Sequence, residues 1–156
     1  MTAKKQKGPK MKKIFLLLFL FLFALCNAQN LKLTPQVIKP SEIDWEKVEK
    51  LSNGVQNYSV VGDPQKEGYY IMMVRIPADV KLPPHFHPEN RTVVVTSGKF
   101  YYGYGDKFDE TKMRLMTTGT FFTEPSDQPH FAYTKAGEVI LQVNGFGPTG
   151  STIIKN

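Results

Sequence analysis

Beyond Gly54, apolar and polar residues alternate along the chain with a period of two. This alternation predicts β-strands, because successive side chains of an extended segment point to opposite faces. Nine such segments are rich in β-branched and aromatic residues, and short stretches of turn-forming residues separate them. The predicted strands are residues 55–61, 69–76, 92–96, 99–104, 114–116, 120–123, 131–134, 138–144 and 151–154. Many short strands at regular spacing indicate an all-β sandwich or barrel.

The segment before these strands has a different pattern. Residues 29–40 contain two prolines and are predicted to form an extended arm. Ser41 can cap a short helix over residues 41–51, whose apolar side chains recur at three-residue spacing. The apolar face of this helix consists of Trp45, Val48 and Leu51. We expect that face to pack against the sheet, and we expect one further helical turn at residues 109–112.

The first 28 residues have the composition of a secretory signal peptide. Six lysines precede residue 14, and an apolar run over residues 14–25 and then Cys26 follow them. The 12 residues of that run rise about 18 Å as a helix, which is less than the roughly 30 Å of a bilayer's hydrocarbon core. We therefore expect cleavage after Ala28 and a periplasmic or secreted protein. A membrane anchor and a lipidated Cys26 are the alternatives, and Met11 is an alternative start.

The predicted organisation is a signal peptide at residues 1–28, an arm with a short helix at 29–54 and a β-barrel domain at 55–156. The net charge of +6 belongs to the signal peptide, because 14 basic and 14 acidic side chains remain from Gln29 onward. A mature protein without net charge offers no electrostatic basis for binding nucleic acid, so nucleic acid is not an expected partner. Cys26 is the one cysteine, so the mature protein has no disulfide and no thiolate metal site.

The three histidines are the strongest chemical signal in the sequence. His85 and His87 are two residues apart, and on an extended strand they point to the same face. His130 lies 43 residues beyond His87 and becomes a third ligand if two strands meet face to face. Three imidazoles suit a divalent transition metal and leave coordination positions open for water or substrate.

These residues resemble the two sequence motifs of the cupins. The first cupin motif is a His-x-His pair, then a Glu, then a Gly, and the matching residues here are His85, His87 and Gly98. The second motif matches at Gly119, Pro125, Asp127, His130 and Thr134. The spacing holds throughout, and the motifs cover residues 83–134. The flanking sequence also resembles small, single-domain, secreted bacterial cupins of unassigned function. The resemblance implies a double-stranded β-helix, that is, a jelly-roll barrel, with one bound metal.

Three positions depart from the cupin pattern. Arg91 or Thr92 stands where the Glu ligand is expected, Asp127 replaces a Gly, and Thr134 replaces an Asn. Glu89 shares the parity of the two histidines and is a candidate fourth ligand displaced from the motif position.

Further candidates concern the substrate. Arg91 cannot ligate a metal, so it either binds an anionic substrate or forms a surface salt bridge with Glu89. Tyr70, Tyr102 and Gln142 are candidates for the wall of a substrate pocket. Gln142 lies between two apolar residues, so it either faces solvent or is a buried amide that needs a partner.

Two classes of function remain open at the level of the sequence. The first is an enzyme with a mononuclear metal, Fe, Zn, Mn or Ni, that acts on a small oxygenated molecule. The resemblance to three-histidine cupins favours a dioxygenase in that class. The second is a non-catalytic module that holds a metal or a small ligand, because no convincing general base accompanies the histidines. An apo structural cupin is a third possibility. The resemblance further implies a homodimer, with the arm exchanged between subunits.

Overall fold

The computed structural model describes residues 32–155 of the chain. Its strands are β1 (Gln56–Val61), β2 (Gly68–Ile76), β3 (Lys81–Phe86), β4 (Arg91–Ser97), β5 (Lys99–Tyr104), β6 (Arg114–Thr117), β7 (Phe121–Glu124), β8 (His130–Tyr133), β9 (Val139–Gly147) and β10 (Thr152–Ile153). They form two five-stranded sheets in the orders β1-β2-β9-β4-β7 and β10-β3-β8-β5-β6. Every strand pair in both sheets is antiparallel. The all-β prediction is confirmed.

The inner faces of the sheets enclose one apolar core. Strands β4 and β9 bury alternate residues, as the period of two predicts for a sheet with one covered face. Each large apolar side chain buried in such a core contributes about 1.5–3 kcal/mol. The buried core cluster contains Val55, Tyr70, Met72, Val74, Ile76, Val93, Val95, Phe100, Tyr102, Phe122, Ala132, Val139, Leu141 and Val143.

The turn between β4 and β5 needs the glycine of the first motif. Gly98 has a φ of +87°, which only glycine adopts readily. A Cβ atom at Gly98 would lie 2.3 Å from the Glu138 carbonyl oxygen. This turn therefore fixes the spacing between β4 and the strand that follows it.

Each of the nine predicted strands begins within one residue of an observed strand. Strand β3 was not predicted, because Pro83 and Pro84 interrupt its alternation and cannot donate to a ladder. The structure places these prolines at an irregularity, since the register between β3 and β8 shifts between Leu82 and His85. The predicted turn at residues 109–112 is present as a 3₁₀ turn at Glu110–Lys112.

The α-helix predicted for residues 41–51 is wrong. The structure has two 3₁₀ turns there, at Pro40–Glu42 and Trp45–Lys47. Ion pairs with i, i+3 spacing accompany both turns, and that spacing matches the three residues per turn of a 3₁₀ helix. The side chain of Gln56 donates hydrogen bonds to the carbonyl groups of Trp45 and Val48, which an α-helical ladder would otherwise use.

The predicted apolar face is also only partly correct. Ile43 is buried, whereas Leu51 is 49% exposed. Trp45 does contact the first sheet, because its ring lies against Tyr58 of β1 and beneath the guanidinium of Arg75 of β2. The segment is therefore attached to the sheet through Trp45.

The predicted signal peptide at residues 1–28 lies outside the described residues, as do the first three residues of the predicted arm. From Lys32 to Lys39 the arm has no regular secondary structure, and Gln36 donates a hydrogen bond to the Val60 carbonyl group. Within residues 32–155, no helix has the length and apolar character needed to cross a membrane.

Candidate metal centre

Pairing between β3 and β8 brings two of the histidines together. His85 and His130 are directly opposite each other in the register, and their ring centroids are 4.4 Å apart. The register shift after Leu82 is what aligns them, because one irregularity changes the face to which every later side chain points. His130 begins β8 and is fully buried.

His87 lies just past the end of β3, where a second loop holds it. The backbone NH of Asp127 donates to the His87 carbonyl oxygen over 2.8 Å. Asp127 has a φ of +57°, so it adopts the left-handed conformation that the cupin glycine normally supplies. The ring of His87 is 5.0 Å from those of both His85 and His130, and one ligand atom from each histidine lies within 4.8 Å of the other two.

Backbone carbonyl groups fix the orientation of all three rings. The Nδ1 atoms of His85, His87 and His130 lie 2.7, 2.6 and 3.0 Å from the carbonyl oxygens of Pro83, Gly150 and Gln128. A carbonyl oxygen only accepts, so each Nδ1 must carry the proton and donate it. Each Nε2 then holds a lone pair, which is the arrangement that metal-binding histidines use.

Burial keeps these imidazoles neutral. Removal from water lowers the pKa of His87 to about 3 and that of His130 to about 4, and it also lowers the pKa of His85. The Nε2 atom of His130 is buried and has no hydrogen-bond partner among the described residues. A buried acceptor without a partner is costly unless something binds to it.

One carboxylate, that of Glu124, lies beside the imidazoles. Its Oε2 atom is 3.7 Å from Nε2 of His87, and its Oε1 atom is 3.7 Å from Nε2 of His130. Glu124 ends β7 and is buried, and burial raises the pKa of its carboxyl group. The sequence marks Glu124 only as the residue before Pro125 of the second motif, so we did not predict it as a site residue.

Glu89 has a different environment from the one predicted. Its Oε1 atom accepts hydrogen bonds from Tyr70, Arg91 and Thr149. The salt bridge between Glu89 and Arg91 exists, but it is not on the surface, because both side chains are only 8% exposed. These three donors hold Oε1 towards Arg91, whereas Oε2 is buried without a hydrogen-bond partner among the described residues, so the ligand role of Glu89 stays a prediction.

Arg91 lies between two carboxylates. In addition to Glu89, its guanidinium contacts the Thr149 hydroxyl, the Gly150 carbonyl 3.5 Å away and the Glu124 carboxylate 3.7 Å away. Each terminal nitrogen thus already faces a protein acceptor. Arg91 therefore serves the structure of the site, and its guanidinium has little capacity left for a substrate anion.

The other three predicted substrate residues have separate positions. Tyr70 is fully buried and donates to Glu89, so it supports the ion pair. Tyr102 stacks on His130 with ring centroids 5.4 Å apart, and it lines the same cavity as the histidines. Gln142 lies on the opposite face of β9 from the core and bonds Asn144, so it does not belong to the site.

A cavity of about 600 Å³ opens onto the histidines. Its polar wall includes His85, His87, His130, Arg91 and Glu124. Apolar side chains of both sheets form much of the remaining wall, among them Met72, Val74, Ile76, Leu82, Phe100 and Leu141. An apolar cavity with a few convergent polar groups at one end is the usual form of a small-molecule site.

The donor set fits a divalent transition metal. Three neutral imidazoles present lone pairs to one point, and one of those nitrogen atoms is buried without a partner. Imidazole nitrogen suits Zn, Fe and Ni, whereas Mg and Ca prefer oxygen ligands. Three protein nitrogens also leave coordination positions free towards the cavity.

Solved structures with the same fold include several enzymes. DMSP lyase DddQ from Ruegeria pomeroyi shares 17% identity at a TM-score of 0.55 over 71% of this chain, which spans only 58% of the lyase. Polyketide cyclase RemF from Streptomyces resistomycificus shares 14% identity at a TM-score of 0.59, with 79% of this chain and 89% of the cyclase covered. A salicylate 1,2-dioxygenase mutant from Pseudoaminobacter salicylatoxidans in complex with gentisate shares 13% identity at a TM-score of 0.54, with 69% and 31% covered. At these identities the likeness shows the fold, and the predicted double-stranded β-helix is confirmed.

The search of curated proteins gave no match. The family comparison did give one, since residues 33–147 match the model of the ChrR Cupin-like domain. That match covers both histidine motifs and every strand from β1 to β9. The chain therefore belongs to the cupin superfamily, as a ChrR Cupin-like domain.

Proposed function

We propose that this protein is an exported, metal-dependent enzyme that acts on a small oxygenated molecule, with O₂-dependent ring or carbon–carbon bond cleavage as its reaction class. One observation carries the proposal. Three neutral imidazoles that line one cavity bring a ligand atom each within 4.8 Å of the other two, and Nε2 of His130 is buried without a partner among the described residues. A divalent metal held there by His85, His87 and His130 supplies Lewis acidity, redox chemistry and open coordination positions.

The chain's own residues prepare the site in three ways. The carbonyl groups of Pro83, Gly150 and Gln128 fix the tautomer and orientation of the rings before any metal binds. Apolar side chains along the cavity exclude water from the bound molecule and strengthen its electrostatic interactions with the polar wall. Stiff proline-rich backbone on both sides of the ligands lowers the entropy cost of holding this geometry.

The choice of reaction class follows from the carboxylates of the cavity. The lyase, the cyclase and the dioxygenase with this fold show that the fold itself does not decide the chemistry. Lyase and cyclase reactions need a general base that faces the substrate. Among the described cavity residues the carboxylates are Glu49, which is exposed, and Glu124, which faces two imidazoles. Neither is placed as a base directed at a molecule in the cavity, and this supports an oxidative reaction.

The test is elemental analysis of protein purified without chelator, followed by oxygen uptake with a panel of diketones, catechols and hydroxyketones. We expect about one equivalent of iron per chain and O₂ consumption with at least one compound. His85→Ala is the matched variant, because His85 is the most exposed of the three rings and its loss disturbs the core least. Tightly held zinc without turnover would identify a non-catalytic binding module instead. A protein that binds no metal would exclude both functions.

Export is a separate part of the proposal. It rests on the lysine-rich start, the apolar run at residues 14–25 and the small residues before Gln29. Mass spectrometry of protein from the cell envelope or medium is expected to give a mature chain that starts at Gln29. A protein that keeps residues 1–28 would favour a membrane anchor.

A further inference from the structure

We infer that Glu124 is a fourth ligand of the metal site, supplied from β7 rather than from the strand that follows the His-x-His pair. Arg91 is one of the two residues, with Thr92, that stand where the cupin pattern has its Glu, and the register pairs Arg91 directly with Glu124. The ligand carboxylate has thus moved to the neighbouring strand. This inference deepens the proposed function and rests on it for the presence of a metal.

The distances match a shared ion and do not match hydrogen bonds. Both carboxylate oxygens of Glu124 are 3.7 Å from an imidazole Nε2, one from His87 and the other from His130. A hydrogen bond would need about 2.7–3.2 Å. Two ligand atoms that each lie about 2.1 Å from one metal ion are about 3.4 Å apart at the tetrahedral angle. The described distances join Glu124 to His87 and His130, and His85 completes the group of imidazoles on the far side.

The chemistry of these atoms also favours a positive charge between them. The Nε2 atoms of His85, His87 and His130 bear lone pairs, because backbone carbonyl groups occupy each Nδ1–H. Burial raises the pKa of Glu124, and in its ionised form the carboxylate has no proton to share with these lone pairs and is repelled by them. A cation at the centre converts this repulsion into four favourable contacts.

Arg91 acts as a positioning residue for Glu124. Its guanidinium is held by Glu89, Thr149 and Gly150, and Nη1 lies 3.7 Å from Oε2 of Glu124. A guanidinium cannot bind a metal, and beside a cation it would be unfavourable if it were unpaired. Glu89 offsets the charge of Arg91 and leaves the Glu124 carboxylate available to a metal.

The decisive variant is Glu124→Gln, which keeps the shape of the side chain and removes its charge. Metal affinity is measured by competition with a chromophoric chelator, and the coordination number by the visible spectrum of the Co²⁺-substituted protein. We expect affinity to fall by about 100-fold or more, because even outer residues of metal sites contribute about 10–100-fold. The Co²⁺ bands should shift as one oxygen ligand is lost. Glu110→Gln, an exposed carboxylate outside the cavity, is the control and should change neither measurement.

The outcomes separate this inference from the proposed function. If wild type binds metal in a His85-dependent manner but Glu124→Gln retains its affinity within about threefold, Glu124 is not a ligand, since losing one costs at least about tenfold. If Glu124→Gln does not fold, Glu124→Asp keeps the charge but retracts the carboxylate, and unchanged Co²⁺ bands in it would also overturn the assignment. Arg91→Lys tests the positioning role. It should shift the Co²⁺ bands in a protein that still binds metal, and an unchanged spectrum would remove that role.

Discussion

Glu89→Gln is the substitution that most directly tests the electrostatics around the site. It removes one negative charge from the ion pair with Arg91 and leaves the shape of the side chain almost unchanged. Both side chains are 8% exposed, so water cannot replace the lost partner of the guanidinium. The new amide can still accept from the hydroxyl groups of Tyr70 and Thr149, which at present donate to Oε1.

The magnitude follows from this burial. Removing one partner of a buried ion pair costs about 3–5 kcal/mol, because the other charge remains buried and unpaired. Arg91 still faces the Glu124 carboxylate 3.7 Å away, and the hydrogen bonds from Tyr70 and Thr149 are retained. The cost of Glu89→Gln therefore lies at the lower end, at about 3 kcal/mol. A domain of this size has a total stability of about 5–15 kcal/mol, so the loss is a large part of it. With roughly 4 °C per kcal/mol for a domain of this size, Tm should fall by about 12 °C.

Urea unfolding followed by the fluorescence of Trp45, the one tryptophan, gives the free energy directly. The control is Glu110→Gln, whose carboxylate is 41% exposed and pairs with Lys81 and Lys135. A surface pair contributes about 0–1 kcal/mol, so this control should stay within that range. If Glu89→Gln is as stable as the control, the buried ion pair does not exist as described. If it is stable but no longer binds metal, Glu89 is a ligand after all.

The remaining predictions concern metal, packing and pH. A chelator should lower the Tm of the metal-loaded wild type by about 10 °C, because metal at 100 times its Kd adds about 2.7 kcal/mol of stability, and it should leave the Tm of His85→Ala unchanged. Differential scanning calorimetry measures the Tm of both proteins, and an equal Tm shift in the two would argue against this site. Gly145→Ala should destabilise by about 1–3 kcal/mol in urea unfolding, since its Cβ would lie 2.6 Å from the Tyr70 hydroxyl oxygen, whereas Gly137→Ala meets nothing within 4 Å. Burial raises the pKa of Glu89, but hydrogen bonds from Thr149, Tyr70 and Arg91 outweigh this and hold it below 4.5. Ionised Glu89 therefore stabilises the fold above pH 4.5, and the stability difference between wild type and Glu89→Gln should shrink as the pH falls through the lowered pKa. A difference that stays constant over the whole acid range in which the wild type remains folded, measured by unfolding at each pH, would contradict this assignment.

Strands with one covered face could be predicted from the sequence because their signal is local. In β4 and β9 the alternation of buried and exposed residues is continuous, so the period of two identifies them without reference to their partners. Strand β3 lacks this signal, since Pro83 and Pro84 occupy its middle and its pairing is maintained by β8 and β10 on either side. The prediction of an α-helix around Trp45 was wrong for a related reason. Its backbone carbonyl groups bond to Gln56 of β1, which is a tertiary contact that no local helix pattern reports.

The same distinction between local sequence signals and tertiary contacts applies to the residues of the site. His85, His87 and His130 could be found from spacing, because motif distances along the chain reflect the turns that bring β3 and β8 together. The placement of Gln142 on the outer face follows from parity with Leu141 and Val143, which are both core residues. The carboxylate next to the imidazoles could not be found in this way. Glu89 has the right parity but lies beyond the end of β3, where the alternation no longer holds.

The position of Glu124 shows why a motif read along one strand gives an incomplete ligand set. In an antiparallel pair, directly opposite residues have Cβ atoms about 4.5–5.5 Å apart, so a long side chain on either strand reaches the same point. Arg91 and Glu124 form such a pair between β4 and β7. Exchanging acid for base on β4 is then tolerated if the facing strand supplies the acid and a second carboxylate, Glu89, neutralises the arginine. The substitution that removes the expected ligand and the carboxylate that replaces it are thus parts of one cross-strand arrangement, and the charge offered to a metal is the same as with the carboxylate on β4.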